Sequence, residues 1–160
     1  MENTELEELF IGDQEARLNN GADVDWSELE KEDQTRRERV LELLQNQEIK
    51  TAKDYYHAAM IFQHGTRVAD SRLAYSLAWI SVTLDPLDDK ARWLSAAAWD
   101  RMMMKQEQPQ WYGTQFTRKN ETRNWELYDM AKDAVTDEER EAMNVPPLSE
   151  AMEQLKQNNS

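Results

Sequence analysis

Residues 54–104 read DYYHAAMIFQHGTRVADSRLAYSLAWISVTLDPLDDKARWLSAAAWDRMMM, and the reading of this stretch decides the fold. Its apolar runs are YYHAAMIF (55–62), AYSLAWISV (74–82) and WLSAAAW (93–99), parted by His64-Gly65 and by Pro86. The segments between these breaks are longer than ordinary strands, and their apolar positions recur at helical spacing. The spacing predicts a helix from Thr51 or Asp54 to Gly65, with Gly65 as a left-handed stop. It predicts a second from about Asp70 to Leu84, ended by Pro86. A third runs from about Asp88 to Lys105 and stops before Pro109. This last helix is apolar on nearly every face (Trp93, Leu94, Ala96 to Trp99, Met102 to Met104), which places it in the middle of a bundle.

Outward from this centre the same signals continue. On the N-terminal side a helix is expected from about Thr4 to Leu18, ended by Asn19-Asn20-Gly21. Another follows from Trp26-Ser27 to about Gln45, with Ser27 and Glu30 as a capping box. On the C-terminal side residues 109–130 hold two aromatic runs around a polar KNETRN turn (119–124), the pattern of a β-hairpin. Thr136 and Glu139 cap a short helix, one more starts after Pro146-Pro147, and residues 157–160 read as a frayed tail. With four glycines and four prolines in 160 residues, the sum is a mainly α protein. It is a compact bundle of about five core helices with a small β-hairpin near 112–130 and short C-terminal helices, in one domain over residues 1–156. The hairpin of the helices expected over 51–65 and 70–84 resembles a single tetratricopeptide or Sel1-like unit. Ala74, Ala78 and Ser81 precede Pro86 at the former's small-residue spacing, and Ala59-x-x-Phe62-x-x-Gly65 matches the latter. No second copy appears near a period of 34, so a repeat array is not expected.

The charge distribution supports the same layout. The formal charge is -13, and residues 1–50 carry fifteen acidic against six basic residues, while residues 51–110 are balanced. The acidic ends read as solvated cover over a neutral core. So acidic a chain is a poor match to nucleic acid or to an anionic membrane through its bulk charge. The absence of cysteine excludes disulfides, thiol catalysis and Cys-ligated metal. No apolar run reaches membrane-spanning length, and MENTELEELF has neither a basic start nor an apolar core. The expected setting is cytoplasmic, or secreted if a leader has been removed.

The candidate functional residues begin with a repeated D-Q-x-x-R. Asp13 with Arg17, and Asp33 with Arg37, stand on stripes otherwise made of Leu6 and Phe10, and of Leu29, Val40 and Leu44. Charge on a core-facing stripe is costly unless paired and hydrogen-bonded. Such pairs form a structural network, line a ligand pocket, or lie on the surface. His57 and His64 are seven apart, about 10 Å along a helix axis, too far to share one metal ion. No metal or other cofactor is expected. His64 with Asp33 or Asp100 has the makings of a general base, against the plainer role of a helix-end histidine. No phosphate loop, dinucleotide fingerprint or nucleophile elbow occurs.

Asp33…Arg37, Gln63-His64, Asp100-Arg101 and Pro109-Gln110-x-Tyr112-Gly113-Thr114-Gln115 together resemble the signature of a bacterial family of unknown function, over roughly residues 5–150. The resemblance implies a shared fold and a shared pocket. The leading expectation is a non-catalytic interaction or small-ligand-binding module. Its polar pocket would gather Asp13, Arg17, Asp33, Arg37, Gln63, His64, Asp100, Arg101, Gln110, Tyr112, Thr114 and Gln115. The partner is then a small polar ligand or a protein. The alternative is a hydrolase or transferase in which His64, helped by Asp100, is the base and Arg101 binds an anionic group. A third reading makes the Trp/Tyr-rich hairpin a contact surface for a partner protein.

Overall fold

A computed structural model describes residues 1–18, 25–118 and 124–159. Among them are seven helices and one two-stranded antiparallel sheet: α1 (Thr4–Leu18), α2 (Trp26–Gln45), α3 (Ala52–Gln63), α4 (Val68–Leu84), α5 (Asp89–Lys105), β1 (Phe116–Arg118), β2 (Trp125–Leu127), α6 (Asp137–Ala142) and α7 (Leu148–Asn158). The fold is mainly α. None of these helices is long and apolar enough to cross a membrane.

Helix ends follow local chemistry, with two corrections to the sequence reading. The side chain of Asp25, not Ser27, caps α2 by accepting from the amides of Ser27 and Glu28. An aspartate two residues earlier caps the helix from further back, taking the amides of its first turn, and it frees Glu30 for another use. Gly65 is not a left-handed stop. The cap of α3 is His64 at φ -85°, and the Gly65 amide closes a turn onto the Phe62 carbonyl at 3.0 Å. Glycine is needed there for space: a Cβ would stand 2.3 Å from the Cβ of Asp70. The expected stop at Asn19-Asn20-Gly21 lies outside the described residues, as does most of the 119–124 turn. Thr51 with Asp54, and Thr136 with Glu139, form full capping boxes. Asp88 caps α5 through Lys90 and Ala91.

The core gathers Leu6 of α1, Val40 and Leu43 of α2, Ile61 and Phe62 of α3, Leu77 of α4 and Leu94 of α5. Ala58, Ala59, Ala74, Ala78 and Ala98 stand between them. Small side chains at these positions let α3, α4 and α5 approach closely, and these are the most extensively packed helices. Phe62 is almost fully buried, and its truncation to alanine would cost about 3–5 kcal/mol. Polar ties fix the register: the Ser81 hydroxyl donates to the Ala52 carbonyl at 2.8 Å. The amide of Asn3 donates to Asp54 at 2.8 Å, joining the start of α1 to the start of α3.

The β-hairpin is short, with Phe116 opposite Leu127 and Arg118 opposite Trp125. It packs on α7 through Phe116, Trp125, Ala151 and Leu155, around a groove of about 330 Å³. Residues 157 and 158, expected within a tail, continue a helix. α7 runs to Asn158, and the Asn159 side chain brackets the Trp125 backbone, accepting at 2.9 Å and donating at 2.8 Å.

Candidate functional site

The ends of α1 and α3 and the start of α2 meet around a pocket of about 460 Å³ lined by Arg17, Trp26, Leu29, Glu30, Asp33 and His64. Each charged wall residue is held from behind. Asp13 is fully buried on α1, and its carboxylate receives Nη1 of Arg17 at 2.9 Å, the Gln14 amide at 2.8 Å and lies 2.9 Å from Nδ1 of His64. Arg17 then bridges to Asp33 of α2, with Nη2 at 2.6 Å from Oδ2. Arg36 closes the other side of Asp33 at 2.8 Å. One connected set of charge-assisted hydrogen bonds thus joins three helices.

Two pairings expected from sequence are corrected here. Asp33 does not pair with Arg37, because Arg17 and Arg36 occupy its oxygens. Arg37 is instead buried to 2% exposure, with Nη2 donating to Glu30 at 2.9 Å and to Gln34 at 3.0 Å. Its Nε and Nη1 are buried without a hydrogen-bond partner among the described residues. His64 pairs with neither Asp33 nor Asp100; its carboxylate is Asp13. Asp13 reaches it because α1 packs along α3, a contact no local spacing encodes. His57 stacks on Phe10 at 4.2 Å, and burial, with the Lys53 charge, pushes its imidazole below the usual histidine range.

Asp100 faces away from this pocket. It is fully buried and accepts from the amides of Trp111, Tyr112 and Thr114 at 2.8, 3.0 and 3.0 Å, and from the Thr114 hydroxyl at 2.8 Å. Gln110 is equally committed. Its amide group donates to the carbonyls of Gln115 and Tyr128, both at 2.9 Å, and its oxygen accepts from the Gln115 amide at 2.9 Å. Arg140 of α6 completes the cage, donating to the carbonyls of Tyr112 and Trp111. Gly113 sits at φ +85°, a conformation that glycine alone adopts without strain. Burial, with Tyr75, Asp100 and Glu139 nearby, raises the Tyr112 phenol above its ordinary range. The polar atoms of the P-Q-x-Y-G-T-Q string therefore serve the loop's own shape.

One side chain of that loop reaches towards the pocket elements. The Gln115 oxygen accepts from Nε of Arg101 at 3.1 Å, and Nη1 of Arg101 donates to the Gln63 carbonyl at 3.1 Å. The loop, α5 and the end of α3 are thereby locked together beside His64. Burial, with the Arg17 charge nearby, lowers the Arg101 guanidinium from its usual value. Lys105, one turn on, donates to the Gly65 and Arg67 carbonyls and, at 2.8 Å, to the Ser71 hydroxyl. Burial, with Arg101 and Arg37 nearby, brings its amine down to about 8. The side-chain oxygen of Gln63, Oε1, is buried without a hydrogen-bond partner among the described residues.

Trp26, Leu29, Glu30, Lys105 and Arg140 were not among the site residues expected from sequence. Lys105 and Arg140 carried no signal, being ordinary helix-end charges. Glu30 had one, its spacing of seven from Arg37, two turns along the same helix. Among the described residues no group of three or more His, Asp or Glu side chains is placed to hold a metal ion. Compared with models of known protein families, with curated proteins and with solved structures, the chain matches none.

Proposed function

We propose that this protein is a non-catalytic binding module whose pocket, between the ends of α1 and α3 and the start of α2, takes a small polar ligand. The observation that carries the reading is the Asp13 carboxylate shared by Arg17 and His64, with Arg17 continuing to Asp33. Three helices present fixed charges of both signs to one cavity of about 460 Å³ beside an exposed indole, Trp26. A concave site with a few pre-positioned polar groups is what small-ligand binding requires. The ligand is polar because the wall is, and the bulk charge of -13 disfavours nucleic acid as a partner.

Membership of the bacterial family whose P-Q-x-Y-G-T-Q string it carries, and a cytoplasmic setting, belong to the same proposal. So does the description of α3 and α4 as one tetratricopeptide-like hairpin, supported by the alanines buried between them. A thermal-shift screen of polar metabolites tests the binding reading. A ligand is expected that raises the melting temperature of the parent and loses affinity in His64→Ala measured where both are folded. A screen with no such ligand would sink it.

A second reading rests on a specific contact. A carboxylate on Nδ1 fixes an imidazole so that Nε2 faces the reacting group, the arrangement of a general base. As a hydrolase or transferase the protein would use His64, oriented by Asp13, with Arg101 for an anionic substrate group. A His64→Ala protein as stable as the parent but inactive toward a substrate the parent converts would favour it.

A further inference from the structure

The carboxylates and cations around this pocket are not matched in the same way. Asp13 and Asp33 are saturated: Arg17, Gln14 and His64 occupy one, Arg17 and Arg36 the other. Arg101 and Lys105, by contrast, meet only neutral oxygens in the hydrogen bonds described, those of Gln115, Gln63, Gly65, Arg67 and Ser71. Among the described residues Arg37 has a single paired carboxylate, Glu30, and two buried nitrogens with no hydrogen-bond partner. The charges act on one another: Arg17 on Arg101, and both Arg101 and Arg37 on Lys105, where the Asp70 and Glu30 carboxylates act in the opposite sense; of these two Asp70 is already held by Arg67. A buried guanidinium with unfilled donors, amid further cations, is stable only when an anion is at hand. In a chain of net charge -13, cations gathered inside are a local feature against the overall field.

Glu30 is the odd member. It lies on the pocket wall, its side chain is 43% exposed, and yet among the described residues it supplies the only carboxylate paired with Arg37, itself at 2%. An exposed carboxylate can swing into solvent at little cost, because a half-exposed ion pair is weak. We infer that the ligand of this pocket is an anion, a carboxylate or a phosphate group, and that Glu30 holds its place on Arg37 in the free protein. This inference rests on the binding reading above and names its ligand class. On binding, the ligand's oxygens take the Nη2 donor that Glu30 leaves, and the neighbouring Arg101 and Arg17 supply the rest of the counter-charge. Arginine's planar fork suits both carboxylate and phosphate oxygens.

The test uses the whole chain, with sodium phosphate and sodium succinate as separate probes and sodium chloride at matched ionic strength as control. Calorimetric titration and melting temperature are read for the parent, Glu30→Gln and Arg101→Gln. Glu30→Gln removes the competing charge but keeps a side-chain oxygen for Nη2 of Arg37, so it should fold, with a lower melting temperature in chloride, and should bind the preferred probe about fivefold more tightly than the parent, the factor that release of one partly exposed ion pair is worth. Arg101→Gln should bind about tenfold more weakly or worse. If that variant melts too low to titrate, Arg101→Lys, which keeps the charge but loses the fork, should still weaken binding. Preference for one probe tells a phosphate ligand from a carboxylate one. Equal or weaker binding by Glu30→Gln, or no heat with either probe in parent and Glu30→Gln alike, overturns the inference. The binding reading survives that failure if a neutral or cationic metabolite binds in a His64-dependent way; both fail if nothing binds.

Discussion

Nδ1 of His64 lies 2.9 Å from one carboxylate oxygen of Asp13 and 3.2 Å from the other, across 51 positions of chain. The contact turns the end of α3 towards the end of α1. The same buried carboxylate holds Arg17, so one aspartate sets the positions of two pocket residues. Asp13→Asn should remove the charge and leave Arg17 and His64 without their anchor. Loss of one partner from a buried ionic set costs about 3–5 kcal/mol. His64→Ala should cost about 1–2 kcal/mol, and the double variant should show coupling above about 0.5 kcal/mol. Urea unfolding of the four proteins measures this cycle, and strict additivity would show that the contact carries no energy.

Asp100→Ala should loosen the 109–115 loop rather than the pocket wall. Three amides and one hydroxyl lose their acceptor together, around a carboxylate that is itself fully buried. The expected cost is about 3 kcal/mol or more. Amide hydrogen exchange at Trp111, Tyr112 and Thr114 should accelerate well beyond that of the α3–α4 core. Unchanged protection at those three amides would contradict the geometry.

Gly65 discriminates between two explanations of one residue. A left-handed helix stop tolerates asparagine in place of glycine. A glycine demanded by the Asp70 side chain tolerates neither asparagine nor alanine, because both carry the Cβ that collides. Gly65→Ala and Gly65→Asn should both destabilise, by about 1–3 kcal/mol, as overpacking does. Thermal melts of the two variants decide it, and a parent-like Gly65→Asn would restore the left-handed stop.

Stability should fall with acid in two stages. Burial pushes the His57 imidazole below its ordinary value of 6.5, so the unfolded chain takes up that proton first. Stability from a neutral His57 is complete above that value and begins to be lost as pH falls through it. Burial alone would raise Asp54 and Asp70. Hydrogen bonds from Asn3, Thr51 and Lys50 to the first, and from Arg67 to the second, outweigh it and lower both. Their contribution is present above the ordinary carboxylate value of 3.8 and is lost as pH falls below it towards their folded values. Denaturation midpoints from pH 8 to pH 2 should show both slopes. His57→Phe, which keeps an aromatic ring against Phe10, should flatten the upper one alone. An unchanged upper slope in that variant would assign it to another group.

The sequence by itself determined the helices and their order. Periodic apolar runs, Thr51, Asp54, Thr136 and Glu139 at the caps, and Pro86 after α4 are local signals, and they act through neighbours within one or two turns. It also singled out Asp13, Arg17, Asp33, Arg37, His64 and Arg101, because charge on a core-facing stripe demands a partner whatever the fold. Which partner was decided only when the helices packed. Asp13 took His64, Arg17 crossed to Asp33 and so left Arg37 to Glu30 of its own helix, and Asp100 and Gln110 were committed to the loop that carries Gln115. The same holds for Gly65, whose reason is the side chain of Asp70 and not its own backbone angle. A hydrogen bond needs its atoms within about 3 Å, and residues 16 to 51 positions apart reach that distance only through tertiary packing.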